Sequence, residues 1–171
     1  MTEKKPTFFY FAYGSNMLSQ RLRARTPSAT AIGVAHISGR RLTFDKLSSD
    51  GSGKCDIAPT PHPTDRVYGV LSKINCDEKD ALDAAEGLGK GYREERVTVM
   101  TPSGNVEAVT YVATAKEPAL RPYHWYKALV VAGASEHALP EPYVEWLRTF
   151  DSKADPNVTR RAENEKLLFG S

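Results

Sequence analysis

The run "FFYFAYGSNMLSQRL" (Phe8–Leu22) changes character twice within fifteen residues. Phe8 to Tyr13 are apolar or aromatic, Gly14 to Asn16 are small and polar, and helical spacing begins at Met17. Residues 7–13 therefore read as a buried strand, rich in β-formers and nearly continuous in hydrophobicity. Met17, Leu18, Arg21, Leu22 and Arg25 then form one side of a short helix that stops near Pro27. A strand is delivered straight to a helix N-terminus through a turn of small residues. Two readings of that turn stand open. Ser15 or Asn16 caps the helix, or the unpaired N–H groups of its first turn face an anionic ligand.

Working outward, strand-like segments follow at 30–37, 40–47, 55–60 and 66–74, separated by "SSDGSG" (48–53) and "PHPTD" (61–65). Within "RVYGVLSKI" (66–74), Gly69 predicts a bend or the close approach of another backbone. The stretch "DEKDALDAAE" (77–86) predicts a helix with acids in its first turn, stopped by Gly87. Strands at 92–100 and 105–114 pair across "TPSGN" as a hairpin. A helix over 122–135 is broken by Pro140 and Pro142 before a last short helix at 143–150. The charged segment after Asp151 is expected to fray or to dock loosely. This pattern is an α+β fold on a mostly antiparallel sheet. It is read as one domain over 1–171, with its core at 8–150 and a tail at 151–171.

Composition excludes several classes. A net charge of +2 over 171 residues gives no nucleic-acid surface. The runs Arg21/Arg23/Arg25 and Arg40/Arg41 read as solvated faces. Cys55 and Cys76, the only cysteines, lack zinc-ligand spacing and fit a reduced, cytoplasmic protein. No run approaches the length of a membrane span. The loop "SSDGSGKC" (48–55) misses the phosphate-loop pattern at its first and last positions and reads as a hairpin loop. "GLGKGY" (87–92) follows a helix, whereas dinucleotide fingerprints follow a strand.

Glu86 is the residue that invites chemistry. It ends its helix, where the dipole disfavours a carboxylate, and Asp83 lies one turn earlier on the same face. Both effects raise its pKa, which suits a general base at neutral pH. The competing reading is an exposed glutamate neutralised by Lys90.

Together, "FAYGSNM" (11–17), "RVYGVLSKI" (66–74), "LDAAEG" (82–87) with "GYREERVTV" (91–99), and "YKALVVAGASEHALP" (126–140) resemble the γ-glutamylcyclotransferase family, over residues 8–150. Asn16 resembles the general rather than the glutathione-specific branch. The resemblance implies a small, mostly antiparallel β-barrel with surrounding helices and one pocket at the barrel's mouth. It implies Glu86 as the catalytic acid/base. Tyr13, Gly14, Ser15, Asn16 and Met17 would hold the γ-glutamyl group, with Tyr92 and Tyr126 at the pocket. It further implies a small-molecule γ-glutamyl substrate, with no cofactor and no metal, and leaves the oligomeric state open while allowing a homodimer. The expected reaction cyclises a γ-glutamyl-amino acid to 5-oxoproline. A γ-glutamyl-amine substrate and a non-catalytic γ-glutamyl-binding domain are the alternatives.

Overall fold

A computed structural model of the chain describes residues 2–169. Its strands are β1 (Thr7–Ala12), β2 (Thr30–Ser38), β3 (Arg40–Leu47), β4 (Gly53–Pro59), β5 (Arg66–Asn75), β6 (Tyr92–Thr101) and β7 (Gly104–Ala113). Its α-helices are α1 (Ser19–Arg25), α2 (Lys79–Glu86), α3 (His124–Glu136), α4 (Glu141–Arg148) and α5 (Val158–Glu165). Five strands close into a barrel in the order β1-β5-β2-β6-β7, antiparallel except where β7 meets β1. Closure leaves those strands no free edge.

β1 sits between β5 and β7, which is why its sequence is so apolar. Burial begins only at Tyr10, however, and Phe9 remains 37% exposed. Phe11 is fully buried, as are Val67 of β5 and Val99 of β6. The backbone approach predicted at Gly69 is present: a Cβ there would lie 2.3 Å from the Ala12 carbonyl oxygen and 2.6 Å from the Phe11 ring. β3 and β4 form a separate two-stranded ribbon. It is tied to the end of β7 and the chain beyond it, where the Leu47 N–H donates to the Ala115 carbonyl and the Ala113 N–H donates to the Asp56 carboxylate (2.9 and 2.8 Å).

Between β1 and α1 the turn Ser15–Met17 is a single 3₁₀ turn. It lies against α3 at Gly133, where a Cβ would come within 2.5 Å of the Leu18 nitrogen and 2.7 Å of the Met17 carbonyl carbon. A bare helix backbone therefore seats the turn. α2 follows a 3₁₀ turn at Cys76–Glu78, buries Leu82, and ends as expected at Gly87 in the left-handed conformation (φ 71°).

Two expectations are corrected. Pro142 does not break the chain: α4 starts at Glu141 and takes Pro142 into its first turn, where no N–H is needed. The charged tail does not fray. α5 docks through Asp155, which is 3% exposed and accepts from the Trp125 indole N–H (2.9 Å) and from Arg160 (2.6 and 2.7 Å). Charge content failed as a guide because the charges pair with each other against α3. No helix among the described residues is long and apolar enough to cross a membrane.

Candidate active site

A cavity of about 30 Å³ opens where the end of β1, the end of α2 and the start of β6 converge. Tyr13, Gly14, Ser15, Asn16, Glu86, Tyr92 and Tyr126, all singled out from sequence, line it together. Met17 does not. Its side chain is 1% exposed in the core, and its N–H is spent on the Gly14 carbonyl (3.1 Å). Tyr10, Cys55 and Tyr111 complete the lining and were not anticipated. Alternation along β1 gives no pointer to Tyr10, which lies on the opposite parity to Tyr13. Cys55 and Tyr111 arrive from β4 and β7 through tertiary packing, which leaves no local mark.

The helix-cap reading of the turn fails. Neither the 3₁₀ turn nor α1 has a side-chain cap. Asn16 instead donates from Nδ2 to the Glu86 carboxylate and to the Tyr10 hydroxyl (3.2 Å). Its Oδ1 accepts from Arg25 (2.8 Å), which fixes the amide's orientation. Among the described residues, the Ser15 and Asn16 N–H groups have no acceptor. They remain free for a ligand oxygen.

Glu86 is 17% exposed at its side chain. Tyr10 donates to its Oε1 at 3.3 Å, Asn16 donates to the same oxygen, and Arg25 Nη1 stands 3.8 Å from it. No donor among the described residues reaches Oε2. Burial pushes the carboxyl above its ordinary pKa, against the pull of Arg25, Tyr10, Arg21 and Lys46. The direction is the expected one but the cause is corrected. Asp83 is turned away, paired to Lys79 (2.6 Å) and accepting from the Tyr111 hydroxyl. Lys90 lines the outer approach without pairing to Glu86.

The other cavity tyrosine hydroxyls serve the frame. Tyr92 donates to the Cys55 carbonyl (2.6 Å), Tyr126 accepts from the Cys55 N–H (3.1 Å), and Tyr13 donates to the Tyr111 carbonyl. Burial holds Tyr10, Tyr13, Tyr92 and Tyr126 protonated far past neutrality and pushes the Cys55 thiol up to about 12. Cys55 is thus a thiol rather than a nucleophilic thiolate at neutral pH. Glu86 is the cavity lining's one acid.

Ser15, Glu86, Tyr92 and Tyr126 also border a second, outer chamber of about 320 Å³, open to solvent. Arg21 and Arg25 line it, so that part of the arginine run is not a solvated face. Ser48, Ser49 and Lys54 bring the "SSDGSGKC" loop to its wall.

Comparison with known proteins agrees with this architecture. The model of the AIG2-like family matches residues 66–147. γ-Glutamylcyclotransferase of Mus musculus is 35% identical over 150 residues, covering 85% of this chain and 79% of that protein. The Homo sapiens γ-glutamylcyclotransferase is 34% identical over 156 residues with the same coverage. A solved γ-glutamyl cyclotransferase superposes with a TM-score of 0.85 at 30% identity, spanning 96% of this chain and 100% of its own. The chain belongs to the γ-glutamylcyclotransferase family.

Proposed function

We propose that the protein is a γ-glutamylcyclotransferase. The substrate's α-amine attacks its own γ-carbonyl, giving 5-oxoproline and releasing the amine that was acylated. The observation that carries this reading is Glu86, a carboxyl with a raised pKa in a tyrosine-lined cavity, opposite two unpaired turn N–H groups. The similarity to proteins of that name supports it.

Nucleophile and electrophile belong to one molecule, so confinement in a folded conformation supplies much of the rate. Well-oriented intramolecular attack is worth about 7–11 kcal/mol. The α-amine arrives protonated and must lose a proton to attack. Glu86 takes it on Oε2, the oxygen left free when Tyr10 and Asn16 both bind Oε1. As the γ-carbon–nitrogen bond breaks, the same carboxylic acid returns the proton to the departing nitrogen, the ring nitrogen sheds its second surplus proton, and the amine leaves as the ammonium. One acid/base group in both roles contributes about 10²–10⁴-fold. The Ser15 and Asn16 N–H groups offer two fixed donors to a negatively charged substrate oxygen. The buried, protonated Cys55 argues for direct cyclisation without an enzyme-bound acyl group.

The free thiols Cys55 and Cys76 suit a reducing compartment, and the cytoplasm is the compartment we propose. The test is 5-oxoproline release from γ-glutamyl-alanine by wild type and Glu86→Gln. Turnover by wild type alone is expected. Retained turnover in the variant would remove Glu86 as the base, and an inert wild type across γ-glutamyl amides would reject the function.

A further inference from the structure

The outer chamber carries a marked excess of positive charge. Arg21, Arg25, Lys46, Lys54 and Lys90 line it, against Glu86 as its one acid. Two of these cations already face carboxylates, Arg25 at 3.8 Å from Glu86 and Lys54 at 3.5 Å from Asp50.

Lys46 is different. It is 7% exposed, and among the described residues no carboxylate lies within 4.0 Å of its ammonium and no acceptor binds it. Its Nζ lies 4.6 Å from the centre of the Tyr92 ring, at the chamber wall. The neighbouring backbone is cut to fit: a Cβ on Gly91 would fall 2.8 Å from Lys46 Cε and 2.9 Å from Nζ. Arg21 is also short of partners, with a buried Nε that has none and an Nη1 donating only to Asn164 (3.2 Å). Burial lowers the pKa of Lys46, and lowers Lys54 to about 8 and Arg21 to about 10. Each charged form therefore sits in the site insufficiently compensated.

Charges with little access to water are ordinarily paired, so a lysine with a buried stem, whose ammonium reaches the chamber without a carboxylate partner, offers a site for an anion. The position of that anion follows from the shared border. Ser15, Glu86, Tyr92 and Tyr126 separate cavity from chamber. A glutamyl group folded inside places its scissile bond at this throat and its leaving group outside. One carboxylate on the leaving group would answer Lys46, and a second would answer Arg21 and the half-neutralised Lys54.

Building on the cyclisation reading, we propose that the outer chamber is a subsite for a leaving group bearing two negative charges, with Lys46 as its specificity-determining residue. An acidic amino acid or an acidic peptide remainder has this chemistry.

The experiment compares kcat/KM for γ-glutamyl-aspartate, γ-glutamyl-alanine and γ-glutamyl-propylamine in wild type, Lys46→Met and Lys46→Arg. Wild type should favour the aspartate compound over the alanine compound by about tenfold or more, the low end for a hydrogen bond to a charged group. The propylamine compound should be slowest. Lys46→Met should slow the aspartate compound most and compress the ranking, while Lys46→Arg should keep it. Equal rates for the aspartate and alanine compounds in wild type, or uniform slowing by Lys46→Met, would overturn the subsite. Calorimetric binding of the same compounds to Glu86→Gln, with and without Lys46→Met, separates the two claims. Lys46-dependent preference in binding without turnover by wild type keeps the subsite and rejects cyclisation. Turnover without preference keeps cyclisation and rejects the subsite. Absence of preference in both assays also rejects the subsite.

Discussion

Glu86 and Asp155 are both carboxylates withdrawn from bulk water, and their surroundings drive their protonation in opposite directions. Every lone-pair direction of Asp155 is used. Arg160 grips both oxygens (2.7 and 2.6 Å), the Trp125 indole takes one, and the Asn157 N–H takes the other (2.8 Å). Held chiefly by Arg160, its pKa falls well below the usual carboxylate range. Glu86 is given two neutral donors on one oxygen and a guanidinium held off at 3.8 Å. Burial then dominates and raises its pKa. A carboxylate gripped by a contacting cation can only hold structure. One denied that contact, with an oxygen left over, can exchange a proton.

Breaking the Glu86 side should give the largest effect. Glu86→Gln is expected to lower kcat by about 10²–10⁴-fold, the range for losing a general acid/base. It should do so without lowering Tm at neutral pH. The sign follows from linkage. A folded-state pKa above the unfolded value of about 4.3 means that the native state holds its proton longer. Stability from this group is therefore greatest below that value and declines as pH rises towards the folded pKa. Glutamine has no charge to desolvate, so thermal scans at pH 7 should find the variant at or above wild type. A marked drop in Tm would make Glu86 a structural acid like Asp155.

Asp155 should answer in reverse. Asp155→Ala leaves the Trp125 N–H buried without an acceptor and frees Arg160, which is expected to cost about 1–3 kcal/mol. Tm should fall by several degrees, while kcat/KM per folded molecule stays near wild type. With a depressed folded pKa, the stability it contributes is present above its unfolded pKa of about 3.9 and is lost as pH falls towards the folded value. Wild type and variant should therefore converge in Tm under acid. A gap that persists unchanged at low pH would show that packing, not charge, holds α5.

The same contrast shows what the sequence made legible. The turn from β1 into α1, the hairpin β6–β7 and the glycine stop at Gly87 were readable because their signals are local: a hydrophobic run, a turn tetrad, a left-handed C-terminus. Glu86 was found from its place at a helix end, although the burial that governs its pKa is a tertiary property no single segment encodes. Lys46, Cys55 and Tyr111 come from strands distant in sequence and meet the turn only once the barrel closes and the ribbon folds over its mouth. The tail misled because α5 has the composition of a solvated segment. What docks it is one aspartate that finds an indole and a guanidinium.

The smallest test probes how neutral donors poise Glu86. Tyr10→Phe deletes the 3.3 Å bond to Oε1 and keeps the ring that packs edge-on to Tyr111. That bond favours the ionised carboxylate, so its loss should raise the Glu86 pKa further. Since activity requires Glu86 ionised against a protonated substrate amine, the acidic limb of kcat/KM should move to higher pH. A hydrogen bond worth about 1 kcal/mol corresponds to somewhat less than one pH unit. Trp125→Phe, which removes the comparable donor to Asp155, should lower Tm and leave that limb in place. If Tyr10→Phe also left the limb unmoved, Asn16 alone would be holding Oε1, and Asn16→Ala would then have to produce the whole shift.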